Sequence, residues 1–350
     1  MPWQLDHFIH GITQGYMAER HFLTSQKGRE STLRIAETGC DLVTLVVNQF
    51  QADLFATEIS PDNEHTISDE ALVQHLNFLH ELGYGIMLKP MLDPLDSTWR
   101  GSIALRRGCN TLAWRTSDRV TPWFDSYWRF MRRYAEIAEQ THCEMLCIGC
   151  ELQGMEEHHD DWSSLIDKIR EIYHGIVTYN MNRNVDCLGE SRGWFRKLDL
   201  LGLSGYFEML KPIQNPAYSQ IMDNWRTWLE RISVFHDWVK RPLFFAETGA
   251  RPIVGSAIDP AGFSAKEVIY SEQAQADFYD AIHETFEPIN WFYGTVWWKH
   301  DEHQDRPQFH LPDGHCTSFE PTPLLKQHMR ERAASRLPRK TIQPNGNPAM

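Results

Sequence analysis

The sequence predicts a single (β/α)₈ barrel, and three observations carry that prediction. Eight short apolar runs alternate with amphipathic stretches from residue 7 to about residue 336. No change of composition marks a linker that would divide the 350 residues into two domains. No G-x-G-x-x-G follows the first run, which removes the main support for a doubly wound dinucleotide fold.

The strands come first. The apolar runs are HFIHGIT (7–13), LVTLVV (42–47), GIMLKP (85–90), MLCIG (145–149), GIVTY (175–179), LDLLGLS (198–204), PLFFAE (242–247) and FYGTVWW (292–298). Each is short and rich in β-branched or aromatic residues, as strands buried on both faces should be. Helical patterns fill the gaps. Ser68 caps a run with Leu72, Leu76 and Leu79 on one face, and Gly83 closes it. Thr121-Pro122 reads as an N-cap followed by Pro at the first helical position. Residues 162–173, 221–239, 271–286 and 323–336 show the same periodicity, while 190–197 carries only a weak helical pattern. Two segments at the strand C-terminal side are long, 91–120 and 250–270, and loops of that length usually serve function. The barrel domain is expected over 1–336. The Pro/Asn-rich end, 337–350, reads as a mobile tail.

Composition narrows the partners. A formal charge of −13 argues against nucleic acid and against anionic membrane, since both are polyanions. No stretch reaches the ~18 consecutive apolar residues of a membrane span. The N-terminus has no basic segment leading into a long apolar one, so a cytoplasmic protein acting on imported oligosaccharides is expected. Seven Cys without framework spacing fit a reducing compartment. Thirteen Trp is a high count; core filling explains most of them, and indole faces also stack on pyranose rings.

In such a barrel the active site lies at the C-terminal ends of the strands. Those ends carry Gln49 and Gln51, Lys89 and Asp93, Glu151, Tyr206, Glu247, and Trp297 with Lys299. Glu151 and Glu247 follow the fourth and seventh runs and so face each other across the mouth. A pair of carboxyls suits glycoside cleavage: one protonates the leaving oxygen while the other attacks the anomeric carbon. The alternative is that each acid merely ends a strand in an ion pair. Likewise, Lys89 and Arg100 either contact sugar or pair with Asp93 or Asp96 to pin the loop.

The run KPMLDPLDSTWRGSI (89–103), preceded by ATEISP and SDEAL, resembles glycoside hydrolase family 113. The likeness continues in IGCEL (148–152), GYFEML (205–210), FFAETGARP (244–252) and VWWKHD (296–301). It implies a retaining β-1,4-mannanase-like enzyme acting on mannan or manno-oligosaccharides, with no cofactor and no catalytic metal. It makes Glu151 the acid/base, Glu247 the nucleophile and Tyr206 a hydrogen-bond donor to Glu247. Gln51, Lys89, Asp93, Trp99, Arg100 and Trp297 match positions that shape the sugar subsites. Three departures stand out. Cys150 replaces the Asn that usually precedes the acid/base, Met91 stands where the family has His, and Lys299-His300-Asp301 is unexpectedly charged for a neutral mannan. A β-linked sugar of other charge or linkage therefore stays open beside mannan.

Other classes have weaker support. Cys143, Cys147 and Cys150 form C-x₃-C-x₂-C, but strand alternation would set Cys150 opposite the other two, so buried free thiols are expected. His clusters at 156–161 and 299–315 sit in acidic loops, and His7-x-x-His10 lies at the wrong end of its strand for a metal-dependent barrel hydrolase. A non-catalytic carbohydrate-binding barrel has no need of both acids together with Tyr206.

Overall fold

Eight parallel strands close into a barrel: β1 (Ile9–Gln14), β2 (Leu42–Gln51), β3 (Gly85–Pro94), β4 (Met145–Cys150), β5 (Ile176–Met181), β6 (Leu200–Ser204), β7 (Leu243–Thr248) and β8 (Phe292–Trp297). Each pairs with its chain neighbour, and β1 pairs with β8 to complete the ring. This computed structural model describes residues 4–110, 115–211, 215–262, 268–301 and 309–344. Among them seven α-helices surround the barrel: α1 (Gln26–Leu33), α2 (Asp69–Glu81), α3 (Val120–Gln140), α4 (His159–Arg170), α5 (Tyr218–Val239), α6 (Glu272–Phe286) and α7 (Pro323–Ala334). The weak pattern at 190–197 folds as a 3₁₀ helix, Glu190–Lys197, between β5 and β6. No helix among the described residues is long and apolar enough to cross a membrane.

Local signals explain most boundaries. Ser68 Oγ accepts from Ala71 N–H at the start of α2, and Gly83 leaves its end with a left-handed φ of 88°. Thr322 and Ser271 cap α7 and α6 in the same way. The start of α3 differs from expectation. Its cap is supplied one turn earlier by Asp118, whose carboxylate accepts from the N–H groups of Val120 and Thr121. Helix α1 escaped the periodicity analysis because QKGRESTL is almost wholly polar; Ser25 caps it through Gly28 N–H.

The core has two layers. Inside the barrel, each of the eight strands contributes to one apolar cluster: Ile9, Leu42, Met87, Met145, Ile176, Leu200, Phe244 and Tyr293 among others. Between barrel and helices lies a larger layer that takes up Trp123, Trp162, Trp194, Trp225 and Trp297. Five of the thirteen Trp thus fill the core and leave fewer for sugar.

The chain's two ends meet beneath the barrel. Leu337 O accepts from Phe8 N–H, Arg339 N–H donates to Asp6 O, and the Tyr293 hydroxyl donates to Lys340 O. The first part of the segment that composition marks as a mobile tail is therefore hydrogen-bonded to the barrel floor. Residues 345–350 lie outside the described residues.

Candidate active site

Strand alternation aims every second side chain into the barrel, and two irregularities at the upper ends of strands alter that count. The β4–β5 register shifts between Cys147 and Cys150. Cys147 and Cys150 consequently both face inward, Cys147 into the interior cluster and Cys150 against Val46 and Met91 above it. This corrects the simple alternation that sets them on opposite faces. A second shift, between Leu203 and Ser204 on β6, puts Ser204 opposite Glu247. Phe244 and Ala246 already face the interior, so Glu247 joins them instead of turning outward.

Glu151 follows β4 directly and holds a left-handed φ of 53°, a conformation that non-glycine residues seldom adopt. Its N–H donates to Asn180 O at 2.8 Å. Its Oε1 accepts from Ser204 Oγ at 2.7 Å, and its Oε2 accepts from Trp99 Nε1 at 3.3 Å. Arg100 Nη1 lies 3.6 Å from Oε2.

Glu247 is 5% exposed. Its Oε1 accepts from Lys89 Nζ and, at 3.4 Å, from Cys150 Sγ. Lys89, fully buried, also donates to Asn180 Oδ1 at 2.6 Å, and Asn180 Nδ2 donates to Ser204 Oγ at 2.9 Å. Glu247, Lys89, Asn180, Ser204 and Glu151 thereby form one unbroken chain of hydrogen bonds between the two acids. Burial alone would lower the Lys89 pKa, but the Glu247 carboxylate paired with it outweighs that and holds the ammonium charged. Burial pushes the Cys150 thiol well above its ordinary range, so it is an S–H donor.

Both carboxylates line one cavity of about 460 Å³, together with Tyr16, Trp99, Arg100, Tyr206 and Trp298. Arg100 is pinned by Asp93, to which Nε and Nη2 donate at 2.9 and 2.7 Å, and by the Tyr16 hydroxyl at 3.2 Å. Asn48 steadies Asp93 from β2 at 2.9 Å. The Trp99 ring lies on Gly101, where any Cβ would meet it at 2.3 Å, so the glycine of the Trp-Arg-Gly run makes room for the indole. Near the reacting groups the acids Glu151, Glu247 and Asp93 stand beside two cations, Lys89 and Arg100.

The structure reassigns several residues. Lys89 pairs with Glu247, not with Asp93 or Asp96, and is sealed beneath the pocket. Gln51 lies outside the cavity lining; it accepts from Trp123 Nε1 at 2.9 Å and donates to Asp53 O at 2.6 Å, which ties β2 to α3. Trp297 points outward into the helix layer and donates to Phe319 O, so Trp298, one residue on and facing inward, is the aromatic wall. Lys299 is buried and paired with Asp301 at 3.8 Å, away from the cavity lining. The charge that raised an anionic sugar is therefore committed elsewhere. Tyr206 lines the cavity, but no hydrogen bond among the described residues joins its hydroxyl to Glu247. Burial, with the charges of Glu247 and Glu151, keeps that phenol protonated. Met91 and Cys150 pack together with Val46, so two of the departures from the family pattern form one apolar floor.

Tyr16, Asn182, Arg183, Trp298 and Phe319 also line the cavity without having been singled out in the sequence. Asn180 and Ser204 were not singled out either; the signal for them is that Asn180 directly follows the fifth run and Ser204 is the polar end of the sixth. A second cavity of about 610 Å³ adjoins the first through Asn182 and Arg183, and extends over Gln153, Glu208, Leu210 and Trp228. Among the described residues, one trio could share a metal: His10, His283 and Glu287. It lies at the barrel floor, where His283 already bonds Glu287 at 2.8 Å and Thr295 at 3.0 Å. Of the loop histidines, His303 lies outside the described residues.

The family model described as Glycoside Hydrolase Family 113 matches residues 12–313. Among solved structures, a GH113 β-1,4-mannanase shares 26% identity and a TM-score of 0.77, covering 93% of this chain and 100% of its own. The GH113 β-mannanase AaManA from Alicyclobacillus acidocaldarius, in complex with ManMIm, shares 25% identity and a TM-score of 0.77 over 95% of this chain and 99% of its own. A β-glucuronidase from Ruminococcus gnavus, 11% identical with a TM-score of 0.55 over 87% of this chain and 45% of its own, shares the fold alone. No curated protein sequence matches the chain.

Proposed function

The chain belongs to glycoside hydrolase family 113, and from that premise we propose that it hydrolyses β-1,4-linked mannan or manno-oligosaccharides by double displacement with retention. The observation that carries this reading is the hydrogen-bonded path from Glu247 through Lys89, Asn180 and Ser204 to Glu151, running beneath the one cavity that both acids line.

The two acids sit in different surroundings and take different parts. Glu247, held beside a charged Lys89, attacks the anomeric carbon as carboxylate. Glu151 gives its proton to the glycosidic oxygen as that bond breaks, leaving a glycosyl ester on Glu247. Water then enters, Glu151 takes its proton, and the hydroxyl displaces Glu247. Retention needs a short span between the acids. In support, Cys150, next to Glu151 in the chain, touches Glu247 at 3.4 Å. Trp298 and Trp99 offer faces for neutral pyranose rings, and Arg100 with Tyr16 offers donors to ring hydroxyls. The second cavity adjoins the first at Asn182 and Arg183 and gives room for further sugar units of a chain.

The test is hydrolysis of mannan, manno-oligosaccharides and a panel of aryl β-glycosides, with the first-formed product anomer read by NMR. Turnover of the mannosides with a β-anomer first, unchanged by strong chelators, is expected. An α-anomer first would remove the double displacement, and preference for another sugar would remove the mannan assignment.

A further inference from the structure

The left-handed turn at Glu151 needs something to hold it. The next residue, Leu152, lies outside any strand or helix ladder, and its N–H donates to the Tyr179 hydroxyl at 3.0 Å. That hydroxyl donates in turn to Glu156 Oε1, also at 3.0 Å. Glu156 closes the same loop, after the 3₁₀ turn Gln153–Met155, and its carboxyl is 1% exposed. Arg192 Nε lies 3.2 Å from its other oxygen, and Trp194 Nε1 donates to its carbonyl at 2.8 Å.

Glu156 does not line the cavity, and a buried carboxyl is costly where an apolar residue would pack. Burial pushes it up to about 7. What it supplies is direction. A tyrosine hydroxyl has one hydrogen and two lone pairs. With the hydrogen drawn toward Glu156, a lone pair is left facing Leu152 N–H.

We propose that Glu156 is a positioning residue which, through the Tyr179 hydroxyl, fixes the Leu152 peptide and so aims the Glu151 carboxyl at the leaving oxygen. This rests on the acid/base role proposed for Glu151.

The test compares Glu151→Ala, Glu156→Ala, Glu156→Gln and Tyr179→Phe on two substrates. Manno-oligosaccharides have a leaving group that needs a proton. A dinitrophenyl β-mannoside does not, and added azide replaces water as an acceptor that needs no base. Loss of one ordered hydrogen bond at the acid/base predicts a fall of about tenfold or more in kcat on oligosaccharide for Glu156→Ala and Tyr179→Phe. Both should stay within about twofold of wild type on the activated substrate with azide, because only proton transfer is impaired. Glu156→Gln keeps an accepting oxygen and should recover most of the loss. The isosteric Gln and Phe variants keep the comparison decisive should Glu156→Ala fail to fold. Equal loss on both substrates, or loss on neither, overturns the inference while Glu151→Ala still shows the acid/base pattern. If Glu151→Ala itself turns over oligosaccharide normally, the acid/base assignment falls and the inference with it.

Discussion

Replacing Lys89 with Met tests how Glu247 is held. The Lys89 side chain is 0% exposed and that of Glu247 6%. Met conserves much of the volume but removes the charge, leaving Glu247 with Cys150 as a weak donor and Asn180 Oδ1 without its ammonium. Breaking one side of a buried ion pair typically costs about 3–5 kcal/mol. Against a usual stability of about 5–15 kcal/mol, the variant should fold and unfold at distinctly lower urea. The carboxylate also loses the strong donor that aims it at the reacting carbon. If only a third of about 4 kcal/mol is felt at the transition state, kcat/KM falls about tenfold. Urea titration and steady-state kinetics on manno-oligosaccharide measure the two effects together. A variant within about 1 kcal/mol and threefold of wild type would refute the pairing as the support of Glu247. Raised KM with unchanged stability would restore Lys89 as a sugar contact.

Other perturbations separate wall from core and floor from mouth. Trp297→Ala should cost about 3–5 kcal/mol by opening a cavity in the helix layer, while Trp298→Ala should leave stability nearly unchanged and weaken turnover, as melting and kinetics on the two variants will report. Burial, reinforced by the neighbouring His283, lowers His10 to about 3. A depressed histidine contributes stability above its ordinary 6.5 that is lost as pH falls toward 3, so melting temperature should drop across that window. Glu156 acts in the opposite sense. Burial raises it from 4.5 to about 7 against Arg192 and the Tyr179 hydroxyl, with Glu151 and Glu157 adding to the rise. Its contribution is complete below 4.5 and is lost as pH rises through 7. Glu156→Gln should therefore gain on wild type by about 3 kcal/mol between pH 4 and pH 8 in denaturant titrations. A constant difference across that range would contradict the buried ionisation.

The barrel was readable because its strands and most helices keep their own periods. The two acids were readable because they end apolar runs. What one dimension concealed was parity. A shift of one residue decides whether Trp297 or Trp298 meets the cavity, and whether Cys150 and Glu247 face in, and such shifts come from pairing with neighbouring strands. Long-range partners were hidden for the same reason. Lys89 and Glu247 lie 158 residues apart in sequence, and nothing near Lys89 competes visibly with Asp93 until the barrel closes. Helix α1 was missed for another cause: Ser25 capping and tertiary contact hold a segment with almost no apolar stripe.

The most direct measurement is the intact mass of the protein, followed by peptide mapping, after incubation with a deoxyfluoro-β-mannosyl fluoride. Its ring fluorine slows both steps, while its anomeric fluoride leaves readily, so the glycosyl ester forms faster than it is released. Double displacement through Glu247 predicts time-dependent inactivation, a gain of one fluoroglycosyl group, and that group on the peptide containing Glu247. Inactivation with the label on any other residue, or hydrolysis of the reagent with no covalent species and an inverted product, would contradict it.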